Sequence, residues 1–265
     1  MRNTYGDHHL QLADSYLNLA TLYDDMNKYS ESLDVYHKVL NIYQYNHVED
    51  GFNAAILFTD MGSTYRAMDS LSRAEECYMK SIEIFKERDS EMHPDLAIAY
   101  NNLGQVKQKQ NMYQEAIDYI EKGLAINLAV FGESHERVGI NYNNIGLNYK
   151  MLGDFSKAME YYEKALPIFK MTYGEDHHLV GVCLTNIAEI YAIQGKYEES
   201  FNLFDKALQI DAGKGVYDSE LEEIAIFMHN YLERASSEKS KELPAIKQKY
   251  ETIKNKYPEL FRRVN

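Results

Sequence analysis

The sequence predicts an all-α fold, a right-handed α-solenoid of stacked helix–turn–helix units. Three observations predict it. The 265-residue chain repeats itself at a fixed step of 42 residues. Within each copy the apolar residues recur at helical spacing, and a turn-forming residue interrupts that spacing at the same place each time. The step is read most easily from a small residue: Ala20, Gly62, Gly104, Gly146 and Ala188. Behind it run a second small series, Ser32, Ala74, Ala116, Ala158 and Ser200, and a large one, Tyr36, Tyr78, Ile120, Tyr162 and Phe204.

Each copy supplies two helices. In the fourth, Ile140, Ile145, Tyr149 and Leu152 mark the first, and Gly153-Asp154 ends it. Phe155, Ala158, Tyr162, Ala165 and Ile168 mark the second. The turn falls on Asn27, Asp69, Asn111, Gly153 and Gly195, residue types that tolerate left-handed backbone. The two small series let the helices of a pair approach, and the aromatic series fills the gap beside them. One hairpin cannot bury both of its faces, so neighbours must stack. The units span about 9–50, 51–92, 93–134, 135–176 and 177–211.

The two ends differ from the middle. Thr4-Tyr5-Gly6-Asp7-His8-His9-Leu10 matches the linker Thr172-Tyr173-Gly174-Glu175-Asp176-His177-His178-Leu179. The sequence therefore starts inside a linker, either as a fragment of a longer array or as an array without a cap. After Ala212-Gly213-Lys214-Gly215 a degenerate pair follows, at roughly 219–234 and 241–257. Residues 212–265 are read as a degenerate repeat and a capping helix that covers the last apolar face; a docking helix is the alternative.

Composition narrows the function. The net charge of −13 is a poor match for nucleic acid or an anionic membrane surface, which are held by Lys and Arg. The polar N-terminus is unlike a signal peptide, and no run of 18 apolar residues occurs. Two cysteines, Cys77 and Cys183, are too few for a disulfide scaffold and suit a reducing cytoplasm. There is no P-loop, dinucleotide fingerprint or nucleophile elbow, so no cofactor and no catalytic residue is assigned. His9, His93, His135 and His177 recur at the step just before the first helix and are read as caps rather than metal ligands.

The order of small and aromatic positions, Ile145-Gly146, Tyr149, Phe155, Ala158, Tyr162 and Ala165, resembles the tetratricopeptide repeat. The usual proline late in the second helix is missing from most copies, with Pro167 near that place in one. The linkers Phe131-Gly132-Glu133-Ser134-His135 and Tyr173-Gly174-Glu175-Asp176-His177 extend the minimal unit. The first helices carry Tyr100-Asn101-Asn102-Leu103-Gly104 and Tyr142-Asn143-Asn144-Ile145-Gly146. Together these segments resemble the 42-residue subtype of kinesin light chains and nephrocystin-type proteins. Kinesin light chains join their heavy chain through sustained heptads; none occurs here, so motor association is not carried over.

Two residues before each small residue stand Asn18, Asp60, Asn102, Asn144 and Asn186. Helix interiors do not favour Asn or Asp, which compete for backbone hydrogen bonds, so five at one register suggest a shared task. A carboxamide offers donors and an acceptor that match the N–H and C=O of an extended peptide. The resemblance implies that role for Asn18, Asn102, Asn144 and Asn186; Asp60 departs from it and can only accept. Ties between neighbouring units are the alternative. Helical spacing sets Asn101, Asn143, Arg66, Gln105, Lys109, Lys150 and Glu189 on the same face. Arg66, Lys109 and Lys150 are too few for a carboxylate clamp, and Asp24-Asp25 oppose them. The expected function is a non-catalytic scaffold that holds a peptide segment of a partner protein. A regulatory or peptide-sensing segment of a larger signalling or transcription-regulatory protein is the alternative.

Overall fold

The computed structural model describes residues 8–88, 90–212, 219–238, 241 and 243–262. All of its regular structure among those residues is α-helix. Ten helices form five pairs: α1 (Leu10–Asp25) and α2 (Tyr29–Tyr45), α3 (Phe52–Ala67) and α4 (Leu71–Glu87), α5 (Pro94–Lys109) and α6 (Tyr113–Phe131), α7 (Glu136–Met151) and α8 (Phe155–Tyr173), α9 (His178–Ile193) and α10 (Tyr197–Ala212). Two more follow, α11 (Ser219–Ser237) and α12 (Leu243–Lys256). Within the five pairs, each helix starts 42 residues after its predecessor of the same kind.

The ends of the helices follow from their chemistry. His9, His93, His135 and His177 are N-caps: each Nδ1 accepts from the backbone N–H two residues on, at 3.2–3.3 Å. That satisfies one of the four N–H groups every helix start leaves orphaned. Between the helices of a pair, Asn27, Asp69, Asn111, Gly153 and Gly195 take left-handed φ of 57°, 57°, 62°, 80° and 78°. The next N–H then folds back on the helix, as in Lys28 N to Tyr23 O and Asp154 N to Tyr149 O. This is the Schellman closure, reached by Asn or Asp in three copies and by Gly in two.

The chain forms two compact units, Met1–Glu133 and Ser134–Asn265. In the first, three hairpins stack, and α3 touches both its partner α4 and α5, the first helix of the next pair. Its core is built from Tyr36, Leu57, Tyr78, Phe85, Leu96 and Leu103. In the second unit α7 likewise touches α9, and the core holds Tyr162, Phe169, Tyr197, Phe201 and Phe204. There α11 contributes Leu221, Ala225 and Met228, and α12 buries Ile246, Tyr250 and Ile253 against its neighbours. The second small series does what its size suggests: Ala74, Ala116, Ala158 and Ser200 are fully buried.

Candidate functional site

The candidate site is built on the first helix of each pair; α3 touches α5 in the first unit, and α7 touches α9 in the second. In the first unit, α1, α3 and α5 carry Asn18, Asp60 and Asn102 at one register. Asn18 is exposed, and Asp60 and Asn102 are half-buried. Among the described residues no side chain or backbone group bonds to the carboxamides of Asn18 and Asn102 or the carboxylate of Asp60. Asn101, beside Asn102, is half-buried.

Electrostatics single out Asp60. Burial, and then the charges of Asp24 and Asp95, push its carboxyl up to about 6. Asp24 is tied down: its Oδ2 accepts from Tyr36 Oη at 3.0 Å, and both oxygens accept from Thr64 Oγ1 at 3.0–3.1 Å. The Tyr36 hydroxyl is raised well above its ordinary value, first by burial and then by Asp60 and Asp24. The centre of this face therefore carries negative potential.

The cations read from sequence are engaged to different degrees. Lys109 lies 3.5 Å from Asp69, with both side chains largely exposed. Arg66 is half-buried, and its guanidinium helps to hold down the Tyr78 hydroxyl, which burial raises. Sequence reasoning missed Lys107. It occupies the register of Tyr23, Tyr65, Tyr149 and Tyr191, yet it is buried and bonded to Glu75 Oε1 at 2.7 Å. A lysine in an otherwise aromatic series was the available signal.

In the second unit, α7 and α9 carry Asn143, Asn144 and Asn186. Asn143 and Asn144 are half-buried, and Asn143 Oδ1 is a buried acceptor without a hydrogen bond among the described residues. Asn186 is buried, and its Oδ1 accepts from Lys150 Nζ at 2.8 Å. The same ammonium donates to Glu189 Oε2 at 2.9 Å. Lys150 is thus not a free cation of a basic stripe: it bridges α7 to α9, and Asn186 serves as a tie between repeats. Gln105 is half-buried in the first unit.

Among the described residues no three His, Cys, Asp or Glu side chains sit in a metal-holding group. Cys77 and Cys183 are free thiols, and burial pushes them up to about 11 and about 12. Reactive thiols have lowered values, and these two are shifted the other way. No described helix is long and apolar enough to cross a membrane.

Two family models, both described as tetratricopeptide repeat, match the sequence. One covers residues 52–129, 95–171 and 142–212, and the other residues 12–44. No curated protein matches it. Solved structures are similar in fold. Nearly identical repeats of a Podosopora anserina putative kinesin light chain superpose with a TM-score of 0.65 at 19% identity, over 78% of this chain and 98% of that one. A Rap protein complexed with Competence and Sporulation Factor gives 0.63 at 15% identity, over 92% and 75%. MamA gives 0.53 at 22% identity, over 75% and 97%.

Proposed function

We propose that the chain, which belongs to the tetratricopeptide repeat family, is a non-catalytic scaffold that holds an extended peptide segment of a partner protein on its first helices. The 42-residue step at which its helices begin supports placing it with the kinesin-light-chain-like subtype. Residues up to 211 form the repeat array and those from 212 the cap. Its free cysteines suit a reducing compartment such as the cytoplasm.

The observation that carries this reading is the state of Asn102 and Asn18. Both hold polar side chains at an unfavourable helical position, and neither spends its carboxamide on another described residue. Asn144 shares their register in the second unit, with Asn143 beside it. Asn186 and Lys150 are bonded to each other, so they are given a smaller part in the proposed contact. Each amide contact contributes about 1 kcal/mol, so affinity is moderate and distributed. The negative centre at Asp60 favours a peptide of net positive charge.

Photo-crosslinking tests the location. A peptide selected on the intact chain and carrying a benzophenone residue is expected to label α1, α3, α5 or α7. Labelling confined to second helices would refute the reading. The alternative, a peptide-sensing regulatory segment, uses the same contacts. It is favoured by one observation, that a protein of this fold was solved in complex with a named factor.

A further inference from the structure

Resting on the peptide-holding reading, we infer a carboxylate subsite within it: Arg66 on α3, beside Asn102 and Gln105 on α5, binds the side chain of an Asp or Glu in the peptide segment. A neighbour relation that recurs along the first helices places these residues together. Lys150 on α7 donates to Asn186 Oδ1 and Glu189 Oε2 on α9, which lie 36 and 39 positions further on. Asp24 on α1 bears the first of these relations to Asp60 on α3, whose carboxyl is raised by burial and then by the Asp24 charge. Asp24 also accepts from Thr64 on the same helix. Arg66 holds the corresponding position on α3, and α3 touches α5. The same two offsets lead from Arg66 to Asn102 and Gln105, both half-buried.

Arg66 differs from the other inward cations in what answers its charge. The Lys150 ammonium meets Glu189 at 2.9 Å, and buried Lys107 meets Glu75 at 2.7 Å. Among the described residues no carboxylate lies within ion-pair distance of Arg66, and its Nε is buried without a hydrogen bond. The group it adjoins on α4 is the neutral Tyr78 hydroxyl. A partly desolvated guanidinium without a carboxylate forgoes the interaction that ordinarily offsets its burial. Where the second unit has Glu189, the first has Gln105, so the counter-charge must come from outside the chain. A carboxylate matches the planar fork of the guanidinium, and the amides of Asn102 and Gln105 can donate to its remaining lone pairs. Asp60 precedes Arg66 by six residues on α3, about 9 Å along the axis. An extended peptide covers that span in about three residues. The bound segment therefore pairs a basic residue for Asp60 with an acidic one about three positions away.

The test uses the full chain and a peptide selected on it, synthesised with an amidated C-terminus so that its only carboxylates are side chains. Isothermal titration compares this peptide with versions in which each Asp or Glu in turn becomes its amide, on the wild type and on Arg66→Gln. One acidic residue is expected to matter. Its amide should weaken binding at least about ten-fold on the wild type and have no further effect on Arg66→Gln, as direct coupling requires. Arg66→Lys, which keeps the charge without the planar fork, should recover part of the affinity. A selected peptide without Asp or Glu, amide changes without effect, or equal losses on both proteins would overturn the inference. So would a free C-terminus that binds more tightly than the amidated one on the wild type but not on Arg66→Gln, because the occupant is then a chain end. A benzophenone version of the same peptide keeps the two claims apart. If it labels first helices while its acidic residues are indifferent, the carboxylate subsite falls and the peptide-holding reading stands; labelling confined to second helices overturns both. The changes on the peptide leave the protein intact, so the test holds if Arg66→Gln is poorly folded.

Discussion

Lys150 on α7 and Asn186 on α9 are joined by a 2.8 Å hydrogen bond from Nζ to Oδ1, and Glu189 completes the bridge at 2.9 Å. The ammonium and the carboxylate are only 12% and 14% exposed. Breaking a buried pair from one side strands the other charge, which costs more than the pair contributes. Lys150→Met is expected to destabilise the protein by about 3 kcal/mol, the low end for a buried pair. Lys150→Met combined with Glu189→Met should recover most of that. Urea unfolding of the two variants measures both effects; equal losses would mean that the bridge is not a coupled unit.

Asp60 predicts a pH dependence. Its carboxyl is raised from 3.8 to about 6, so folding favours its protonated form. For a raised carboxyl, the stabilising contribution of the proton is complete below the unfolded value and is lost as pH rises through about 6. At pH 7 the charged, half-buried group is a liability. Asp60→Asn should stabilise the protein by on the order of 2 kcal/mol at pH 7, an advantage that shrinks towards pH 4. Thermal unfolding of both proteins across pH 4–7 checks the sign; a variant less stable at pH 7 contradicts it.

Two tyrosines at the same register should respond oppositely to loss of the hydroxyl. Tyr36 Oη donates to Asp24 at 3.0 Å. Tyr162 Oη is buried with no hydrogen-bond partner among the described residues. Tyr36→Phe should therefore cost about 1.5–3 kcal/mol, the range for a bond to a charged group. Tyr162→Phe should be neutral or stabilising, since it removes a desolvated hydroxyl that bonds to nothing described. Chemical denaturation of the pair tests the contrast.

Gly104→Ala reverses a common expectation. Alanine in a helix interior is ordinarily better than glycine by about 1 kcal/mol. Here a Cβ would fall 2.5 Å from Ile120 Cγ1 and 3.0 Å from the Ala116 carbonyl oxygen, on the adjoining helix. The backbone atom cannot turn aside, so helices α5 and α6 would have to separate. A loss of about 1–3 kcal/mol is expected, the range for overpacking. A stabilised variant would show that the close approach of these helices is not required.

Much of this architecture was legible in the sequence because it repeats. Five copies at one step fixed both helices of each pair, and the residues Asn27, Asp69, Asn111, Gly153 and Gly195 marked turns that all take positive φ. The periodic histidines were legible as caps for the same reason. What was not legible were contacts made from one repeat to the next. The register placed Lys150 and Asn186 on one face, but a long flexible side chain can reach solvent or a neighbour. The packing of α7 on α9 is what brings Lys150 to Asn186 and Glu189. Asp24 was read merely as an opposing charge, whereas it gathers hydroxyls from Tyr36 and Thr64. Lys107 was passed over because the aromatic register suggested packing alone.

The proposed peptide-holding role rests on the carboxamides of Asn18 and Asn102, which are spent on no described residue. Asn18 is exposed and Asn102 half-buried, and replacing either by alanine removes no hydrogen bond within the described chain, so the fold is expected to survive the change. The most direct measurement is isothermal titration of a peptide selected on the intact chain, against the wild type and a variant with Asn18→Ala and Asn102→Ala. At about 1 kcal/mol per amide, the predicted result is a loss of affinity of about ten- to thirty-fold with unchanged melting temperature. Unchanged affinity in a folded variant would contradict the account.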